Sequence, residues 1–449
     1  MAEAKNSKFS EGFLWGASTS AHQVEGGNHN QWSEWEQAHA NELAATAEKR
    51  LAHWLPTWNE IKDQAQDPDN YISGKAIEHY QRYEDDFDIA KKLNLNALRF
   101  GIEWSRIEPQ QGQWDEQAIE HYRKYIHVLK KRNIQPVINL WHWTLPVWFT
   151  DKGGFVHRRN IDYFVGFVQR IAEDLIVPCK WVLTINEPNT YIGMSYLEGH
   201  WPPQKYNPIQ AAQVYYNLAL AHRRIYQLLK KIEPQLMVGV ATQCNNNQPK
   251  RPHNLMDKFV AGSANYFWNW WFLNRVRKHQ DFVGFNYYFT DYFKGLIRKN
   301  PVRHNRDPHR TGRLDPRGPF KKRRHNPPGP LNDLGWYMEP DGIYKVIKHV
   351  AKKYKRPILV TENGVADRHD QYRKWWIEET LSAIERANAK GANVVGYFHW
   401  SLLDNFEWST GWWPRFGLVS VDREHGMKRT VRESAKWFAE LLDKRTANK

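Results

Sequence analysis

Short apolar runs alternate with amphipathic stretches along the chain, and this alternation predicts its secondary structure. Amphipathic stretches such as Ala76–Leu93 and Ile161–Leu175 have the spacing of helices with one buried face. The apolar runs predict eight strands: Phe13–Ala17, Ala97–Ile102, Pro136–Trp141, Trp181–Asn186, Met237–Thr242, Phe282–Tyr287, Ile358–Thr361 and Val394–Phe398. Strand and helix alternating eight times is typical of an α/β fold that closes into a (β/α)₈ TIM barrel.

An open, doubly wound sheet is the competing architecture. Such a sheet is expected to carry a glycine-rich phosphate loop after its first strand. Here Gly16 is followed by Ala-Ser-Thr-Ser, which is not such a loop. The pattern therefore favours the barrel.

Length alone is compatible with more than one domain. The chain has 449 residues, and a simple length prior gives about three domains. However, no Pro/Ser/Gly-rich linker divides the sequence, and barrels with insertions can exceed roughly 400 residues. We therefore predict one barrel domain over residues 1–449 with extended strand-end loops. One insertion lies near 41–69, where a helical pattern predicts a cover over the barrel rim, and a basic loop lies near 294–330.

Two glutamates each follow a buried strand directly. Glu187 comes after Trp-Val-Leu-Thr-Ile-Asn, and Glu362 comes after Pro-Ile-Leu-Val-Thr. A parallel barrel gathers the carboxyl ends of its strands at one face, so these residues can meet across a pocket. Paired carboxylates facing a pocket are what cleavage of a glycosidic bond requires.

Other polar and aromatic side chains occupy the same strand ends. Each of them alone has a plain structural explanation, since His142 fits a core histidine and Trp400 or Trp408 fit core packing. Together, amide, imidazole, carboxylate and indole groups at one face predict a site for a polyol with aromatic walls. The set is Gln23, Arg99, His142, Trp143, Asn186, Asn286, Tyr288, Trp400, Glu407 and Trp408.

Composition narrows the setting of this chemistry. Aromatic residues make up 14% of the chain, which suits both a large core and sugar binding. Cys179 and Cys244 are the only cysteines, and the N-terminus lacks an apolar signal region, so we expect a cytoplasmic protein. The sequence has no run long enough to span a membrane and no metal-ligand spacing such as His-Glu-x-x-His. We predict neither a metal nor a cofactor.

The charge of the chain is concentrated in one segment. Residues 294–324 hold twelve Lys or Arg against two acidic residues, within a formal net charge of +15 for the whole chain. The segment fits a solvated strand-end loop, a loop that shapes the entrance for the leaving group, or an electropositive rim that contacts anionic surfaces. It contains one aromatic residue, Phe320, so specific nucleic-acid binding by base stacking is not expected.

Several long motifs resemble glycoside hydrolase family 1. The resemblance runs from about residue 9 to about residue 440, and its motifs are ordered and collectively very specific. They are Phe-Leu-Trp-Gly-Ala-Ser-Thr-Ser-Ala-His-Gln-Val-Glu-Gly (13–26), Leu-Arg-Phe-Gly-Ile-Glu-Trp-Ser-Arg-Ile (98–107), Leu-Trp-His-Trp-Thr-Leu-Pro (140–146), Thr-Ile-Asn-Glu-Pro (184–188), Asp-Phe-Val-Gly-Phe-Asn-Tyr-Tyr (281–288), Thr-Glu-Asn-Gly (361–364), Gly-Tyr-Phe-His-Trp-Ser-Leu-Leu-Asp-Asn-Phe-Glu-Trp (396–408) and Arg-Phe-Gly-Leu-Val-Ser-Val-Asp (415–422).

The resemblance implies a role for each matched residue. Glu362 is expected to be the nucleophile, and Glu187 the general acid that later acts as the base. Members retain the anomeric configuration, so the two carboxyl groups are expected about 5–5.5 Å apart. Arg99 and Tyr288 are expected to hold Glu362 ionised, and Asn186 to contact the sugar 2-hydroxyl. The remaining hydroxyls fall to Gln23, His142, Trp143, Glu407 and Trp408, with Asn286 in the same substrate-binding set, Trp400 as the floor and Trp336 as a wall for the leaving group.

Chemistry requires opposite protonation states for the two glutamates. We expect Arg99 to lower the pKa of Glu362, and Glu187 to have the raised pKa that an acid catalyst needs. The 6-phospho-β-glycosidases of this family change the Glu-Trp pair that follows Asn-Phe. This chain keeps Glu407–Trp408, which favours an unphosphorylated sugar. His22 and Gly101, where the family usually has Tyr and Ser, depart from the pattern near the pocket.

The sequence therefore predicts a retaining exo-β-glycosidase that acts on a small β-glycoside or oligosaccharide. A β-glucosidase that also accepts β-galactosides or β-fucosides fits the motifs best. The alternative is a carbohydrate-binding or scaffold protein that uses the basic loop for an anionic partner. The sequence does not determine the preferred leaving group or the balance of hydrolysis and transglycosylation. It also leaves open whether the chain assembles into a homo-oligomer.

Overall fold

A closed barrel of parallel strands forms the centre of the structure. The computed structural model describes residues 9–53, 55–296, 299–303 and 331–447. Its strands are β1 (Leu14–Ser18), β2 (Ala97–Gly101), β3 (Gln135–Asn139), β4 (Trp181–Asn186), β5 (Met237–Gln243), β6 (Asn246–Pro249), β7 (Val283–Tyr287), β8 (Thr290–Leu296), β9 (Lys299–Arg303), β10 (Ile358–Asn363), β11 (Val394–Trp400), β12 (Val419–Asp422) and β13 (Lys428–Val431).

Eight of these strands close the barrel in the order β1-β11-β10-β7-β5-β4-β3-β2. Each neighbouring pair is parallel, and each of the eight predicted strands matches one barrel strand to within about two residues at either end. The remaining strands form two small sheets outside the barrel, β6-β8-β9 and β12-β13. The prediction of a (β/α)₈ barrel is confirmed.

Helices surround the barrel and connect its strands. Those of eight residues or more are Gln31–Ala45, Trp58–Ala65, His79–Lys92, Glu116–Lys131, Ile161–Ile171, Pro208–Ile232, Leu255–Ala264, Gly342–Tyr354, Arg373–Asn388 and Glu433–Ala447. Shorter α-helices are Ala21–Val24, Ala47–Leu51, Trp104–Ile107, Val147–Asp151, Pro188–Ile192 and Trp271–Val276. Wider π-turns cover Ala172–Ile176, Gly193–Leu197 and Asn265–Trp270, and 3₁₀ turns cover Pro68–Tyr71, Gly154–Val156, Arg158–Asn160 and Trp408–Thr410.

Local sequence explains where these helices begin and which face they bury. Helix 116–131 begins after Asp115, whose carboxylate accepts the backbone N–H of Ala118. Its buried residues Ile119, Tyr122 and Ile126 recur at helical spacing and pack against the strands. A separate apolar layer fills the barrel interior, built from residues such as Leu14, Val137, Trp181, Leu183, Phe282, Leu359 and Phe398.

The predicted insertion near 41–69 is a set of helices over the rim. Helix 31–45 begins at a capping box, in which Asn30 and Ser33 each bond the backbone N–H of the other. Helices 47–51 and 58–65 follow it and pack on Leu334, Trp400, Trp413 and Phe416, which belong to late strand-end connections. The insertion therefore packs over the carboxyl end of the barrel.

Most of the predicted basic loop lies outside the residues that the structure describes. Of the basic loop near 294–330, residues 297–298 and 304–330 lie outside the described residues. In the part of the chain that the structure describes, no helix is long and apolar enough to cross a membrane.

Candidate active site

Glu187 and Glu362 both lie buried at the carboxyl end of the barrel. Glu187 directly follows the last residue of β4, and Glu362 is the second-to-last residue of β10. In the barrel order, β5 and β7 separate these strands. Both carboxyl groups line one cavity of about 400 Å³. The pairing of the two strand-end glutamates at one pocket thus exists in the tertiary structure.

A continuous hydrogen-bond network joins the surroundings of the two carboxyl groups. The Asn286 amide Nδ2 donates to Glu187 Oε1 at 2.8 Å and to Asn186 Oδ1 at 3.2 Å. Arg99 donates to the same Asn186 Oδ1 at 2.7 Å and, through its other terminal nitrogen, to Glu362. The register of β7 against β10 places Asn286 directly beside Glu362, which fixes the network between two neighbouring strands.

The two carboxyl groups have different hydrogen-bond partners among the described residues. Glu362 forms a buried ion pair with Arg99 and accepts a 2.6 Å hydrogen bond from the Tyr288 hydroxyl. Glu187 accepts from the neutral amide of Asn286. A guanidinium favours the ionised form of the carboxyl group that it contacts far more than an amide does. The geometry therefore favours an anion at Glu362.

Burial changes the expected ionisation of Glu362. Desolvation raises the pKa of its carboxyl group above the ordinary value, while Arg99 and Tyr288 lower it without offsetting the whole effect. The expectation of a net lowered pKa is therefore wrong, because loss of water outweighs the ion pair. Arg99 and Tyr288 nevertheless act in the predicted direction, and they limit how far the pKa rises.

His142 is held as a neutral ring at the cavity wall. Because Asn186 Oδ1 accepts from Arg99, its Nδ2 faces His142 Nε2 and donates to it at 2.9 Å. Burial, with Arg99 nearby, holds the pKa of His142 well below its ordinary value. A neutral ring that accepts at Nε2 carries its proton on Nδ1. Among the described residues this buried Nδ1 has no hydrogen-bond partner. Because His142 lines the cavity, a substrate hydroxyl is the partner that we expect for it.

The cavity wall contains most of the predicted site residues. Gln23, Arg99, Asn186 and Asn286 lie behind this wall and orient the groups that line it. Those that line the cavity are His142, Trp143, Glu187, Tyr288, Trp336, Glu362, Trp400, Glu407 and Trp408.

Gln23 and Trp143 use their polar atoms on the protein. Gln23 Nε2 donates to Asn405 and to the carbonyl of Phe406, and its oxygen accepts from Ser20. The indole N–H of Trp143 donates to the carbonyl of Asn186 at 2.9 Å. The ring of Trp143 therefore lines the cavity, while its N–H binds the last residue of β4.

Tryptophans form one continuous wall around this end of the cavity. Trp408 packs on Trp143 at 4.9 Å and on Trp32 at 4.7 Å between ring centroids. His22 stacks on Trp408 at 5.7 Å between ring centroids and is bound to Glu36 of helix 31–45. The wall is thus supported from behind by the rim insertion.

Glu407 is a third carboxyl group in the cavity. Its burial, with Glu362 and Glu187 nearby, raises its pKa to about 8. The Gln23 amide donates to it at 3.4 Å and acts in the opposite direction. At neutral pH this environment therefore favours a protonated Glu407, a property that the sequence did not indicate.

Left-handed backbone conformations concentrate at this site. Glu187, Trp143 and Trp408 have φ values of +41°, +76° and +50°. Such values are uncommon for residues with a Cβ and persist only where the surrounding packing enforces them. At each position the conformation turns the side chain from a strand end or loop into the cavity.

The outer part of the cavity contains residues that the sequence did not single out. Trp336 lies here as predicted, with its ring 6.0 Å from that of Tyr288. Further residues of the cavity wall include Trp35, His39, Glu42, Thr46, Arg50, Thr190, Met194, His200, Trp201, Gln204, Gln243 and Phe289. Several come from the rim insertion, whose predicted position was the one available signal for them.

The remaining candidates for reactive chemistry lie elsewhere or are inert. Cys179 and Cys244 are both buried with free thiols, and burial raises the pKa of each to about 12. Within the ranges that the structure describes, no group of three or more His, Cys, Asp or Glu side chains is arranged to hold a metal ion.

Sequence comparison matches nearly the whole chain to one family. The model of the family described as Glycosyl hydrolase family 1 matches residues 5–278 and 273–447. The 6-phospho-beta-galactosidase of Staphylococcus epidermidis is 29% identical over 425 aligned positions, covering 83% of this chain and 90% of that protein. Beta-glucosidase A of Thermotoga maritima is 28% identical over 478 aligned positions, covering 97% of this chain and 98% of that protein.

Solved structures show the same architecture. The beta-glycosidase from Pyrococcus horikoshii superposes with a TM-score of 0.80 at 31% identity, covering 97% of this chain and 95% of that chain. The family 1 β-glucosidase from Thermotoga maritima superposes with a TM-score of 0.81 at 25% identity, covering 97% of this chain and 98% of that chain.

Proposed function

The chain belongs to glycosyl hydrolase family 1, and from this premise we propose that it hydrolyses unphosphorylated β-D-glucosides with retention of configuration. The observation that carries the proposal is that two carboxyl groups line one cavity and that one of them, Glu362, is ion-paired with the guanidinium of Arg99. Glu187 accepts a hydrogen bond from the amide of Asn286. Unequal environments are how one site keeps one carboxyl group as a base or nucleophile and another as an acid.

In the first step, Glu362 attacks the anomeric carbon and Glu187 protonates the leaving oxygen. The bond to the leaving group breaks as the bond to Glu362 forms, which yields a glycosyl ester and a free alcohol. The Tyr288 hydroxyl stays protonated, because burial and the nearby Glu362 raise its pKa well above the ordinary value. It therefore remains a donor that orients the attacking carboxylate.

In the second step, water attacks the glycosyl ester and Glu187 accepts its proton. The Glu362 carboxylate is released, and Glu187 returns to its acid form. Once Glu362 is esterified it carries no charge, so the pKa of Glu187 is expected to fall and to allow it to act as a base. This double displacement calls for a carboxyl separation of about 5–5.5 Å, as in retaining glycosidases generally.

The charges of the cavity support an unphosphorylated sugar. Among the described residues that line the cavity, Arg50 is the one Lys or Arg. Its guanidinium is held at the outer rim by Thr46, the carbonyl of Leu43 and Tyr71. A sugar phosphate needs a cationic group or several N–H donors. The cavity wall instead contains the carboxyl group of Glu407.

Glu362→Ala tests the proposal directly. We expect turnover of 4-nitrophenyl β-glucoside to fall by roughly 10⁴-fold or more, as on removal of a nucleophile. Azide should restore turnover and give the α-glucosyl azide by NMR, because a small anion can enter from the side that the carboxylate vacates. Glu424→Ala, at an exposed turn, is the matched control. Undiminished turnover in Glu362→Ala would refute the assignment.

The sugar preference needs its own comparison. We expect the wild-type protein to favour 4-nitrophenyl β-glucoside over its 6-phosphate by at least about 100-fold in kcat/KM, since the phosphate meets a carboxyl group without a countercharge. Faster turnover of the 6-phosphate would contradict the proposed substrate while leaving the reaction type intact. The corresponding galactoside and fucoside define the remaining specificity.

A further inference from the structure

Large apolar side chains are exposed along one outer surface of the protein. Leu255 is 79% exposed, Phe259 is 71% exposed and Phe267 is 64% exposed, and Tyr266 lies against Phe267 with 5.1 Å between ring centroids. Leu255, Phe259 and Tyr266 recur at positions i, i+4 and i+11, so they follow one stripe along helix 255–264 and the turn after it. We call these four residues the apolar ridge.

An apolar groove runs beside the apolar ridge. It has a volume of about 480 Å³ and is bounded by Phe267, Leu197, Pro208, Trp271 and Phe293. Ile209, adjacent to Pro208, is 71% exposed. A ridge and a groove of this extent form more contiguous apolar surface than isolated exposed residues, and such patches mark interaction sites.

The apolar ridge lies at the same end of the barrel as the active site. It belongs to the connection that follows β5, and Leu197 and Phe293 belong to the connections that follow β4 and β7. Connections that follow barrel strands gather at the carboxyl face. The Trp268 indole, next to Phe267, donates to Gln243, which lines the active-site cavity.

Basic residues accompany the apolar ridge. Arg251, His253 and Lys258 are exposed in the segment that carries it. Asp257 is the one acidic residue of segment 248–267, and it is buried and paired with Arg251. The whole chain carries a formal charge of +15. This surface therefore combines exposed rings and aliphatic groups with positive charge.

We propose that the apolar ridge docks the protein on an anionic lipid bilayer. Apolar side chains enter the headgroup–acyl boundary while neighbouring cations contact anionic headgroups. A second copy of the chain is a poorer occupant, because its ridge would bring the same positive charge to the contact. Docking of this surface places the carboxyl face of the barrel, with its cavity mouth, close to the membrane.

Vesicle flotation of the full chain tests this proposal. We expect the wild-type protein to float with phosphatidylcholine vesicles that contain phosphatidylglycerol, and to bind pure phosphatidylcholine more weakly. Binding should weaken as NaCl rises from about 0.1 to about 0.5 M, because salt screens the headgroup attraction. Phe259→Ser and Phe267→Ser should each weaken binding by about tenfold or more, since each loses a side chain inserted in the apolar phase.

Further variants separate surface chemistry from folding. Tyr216→Ser removes an exposed ring from helix 208–232, outside the apolar ridge and the groove beside it. This variant should leave vesicle binding unchanged. Lys258→Glu should weaken binding to the anionic vesicles about fivefold or more while leaving the ridge intact. The thermal midpoint of each variant reports folding without relying on the proposed glycosidase activity.

Three results would overturn the proposal. The first is wild-type protein that does not float with anionic vesicles. The second is equal binding by the wild-type protein and Phe259→Ser with Phe267→Ser combined. The third is light scattering that shows a dimer which these substitutions dissociate, since that would assign the apolar ridge to a second copy.

Discussion

The hydroxyl of Tyr288 lies 2.6 Å from Oε2 of Glu362 and donates a hydrogen bond to it. This contact joins the residue that follows β7 to the end of β10 and lowers a pKa that burial raises. The ionisation of Glu362 therefore depends on a balance between loss of water and specific donors.

Tyr288→Phe should shift that balance in a defined direction. Without the donor, the pKa of Glu362 rises further, so the acidic limb of kcat/KM moves to higher pH. We expect kcat/KM at neutral pH to fall by about 10- to 100-fold, as for loss of a hydrogen bond to a charged group. An unchanged acidic limb in the pH profile would contradict this role, even if the overall rate fell.

Glu187→Gln should separate leaving groups by their acidity. Without a proton donor, we expect hydrolysis of a methyl or alkyl β-glucoside to fall by about 10²- to 10⁴-fold. The 2,4-dinitrophenyl glucoside needs little protonation, so formation of its glycosyl ester should be much less affected in single-turnover measurements. Equal losses in this step for the alkyl and dinitrophenyl substrates would contradict general acid catalysis by Glu187.

His142→Phe removes the Nδ1 donor while keeping a planar ring at the cavity wall. The Nδ1 atom lacks a partner among the described residues, so its hydrogen bond is expected to form with substrate. We expect kcat/KM to fall by about 10-fold or more. With a series of deoxyglucosides, the one lacking the contacted hydroxyl should be hydrolysed at similar rates by both proteins. A uniform loss across the series would indicate a structural defect instead.

Glu407 should make stability depend on pH. Its pKa is raised from 4.5 to about 8, so the folded state binds the proton more tightly than the unfolded state. The stabilisation is complete below pH about 4.5 and is lost as pH rises through about 8. Between these limits, wild-type protein should lose on the order of 5 kcal/mol of unfolding free energy from this group.

Urea denaturation from pH 5 to 9 measures this dependence. Glu407→Gln should have the smaller loss of stability over that range, because its amide does not titrate. Glu424→Gln, at an exposed turn, should follow the wild-type curve. If Glu407→Gln also follows that curve, Glu407 does not titrate as described.

The strands were predictable because their signal is local. Trp181–Asn186 matches β4 at both ends, and the end of β10 differs by two residues. A buried parallel strand needs a continuous apolar run, which the neighbouring residues display by themselves. The helices of the insertion were less defined, since helix 31–45 begins ten residues before the predicted insertion and depends on the cap at Asn30.

The sequence indicated which residues share the cavity, but not their hydrogen bonds or their pKa values. Strand-end position brought Glu187, Glu362, His142 and Glu407 to one cavity, because parallel strands deliver their carboxyl ends to one face. The commitment of the Trp143 N–H to Asn186, and the raised pKa of Glu362, follow from burial and from bonds between distant segments. Such long-range terms leave no local pattern.

The sequence by itself determined the barrel, the positions of its eight strands and the pair of carboxyl groups, because apolar runs and the residues next to them are neighbours in the chain. The tertiary structure decided which carboxyl group meets Arg99, why Glu407 favours its proton, and where the apolar ridge faces solvent. These properties depend on how much water each group loses and on which distant groups replace it, and both are fixed only when the chain has folded.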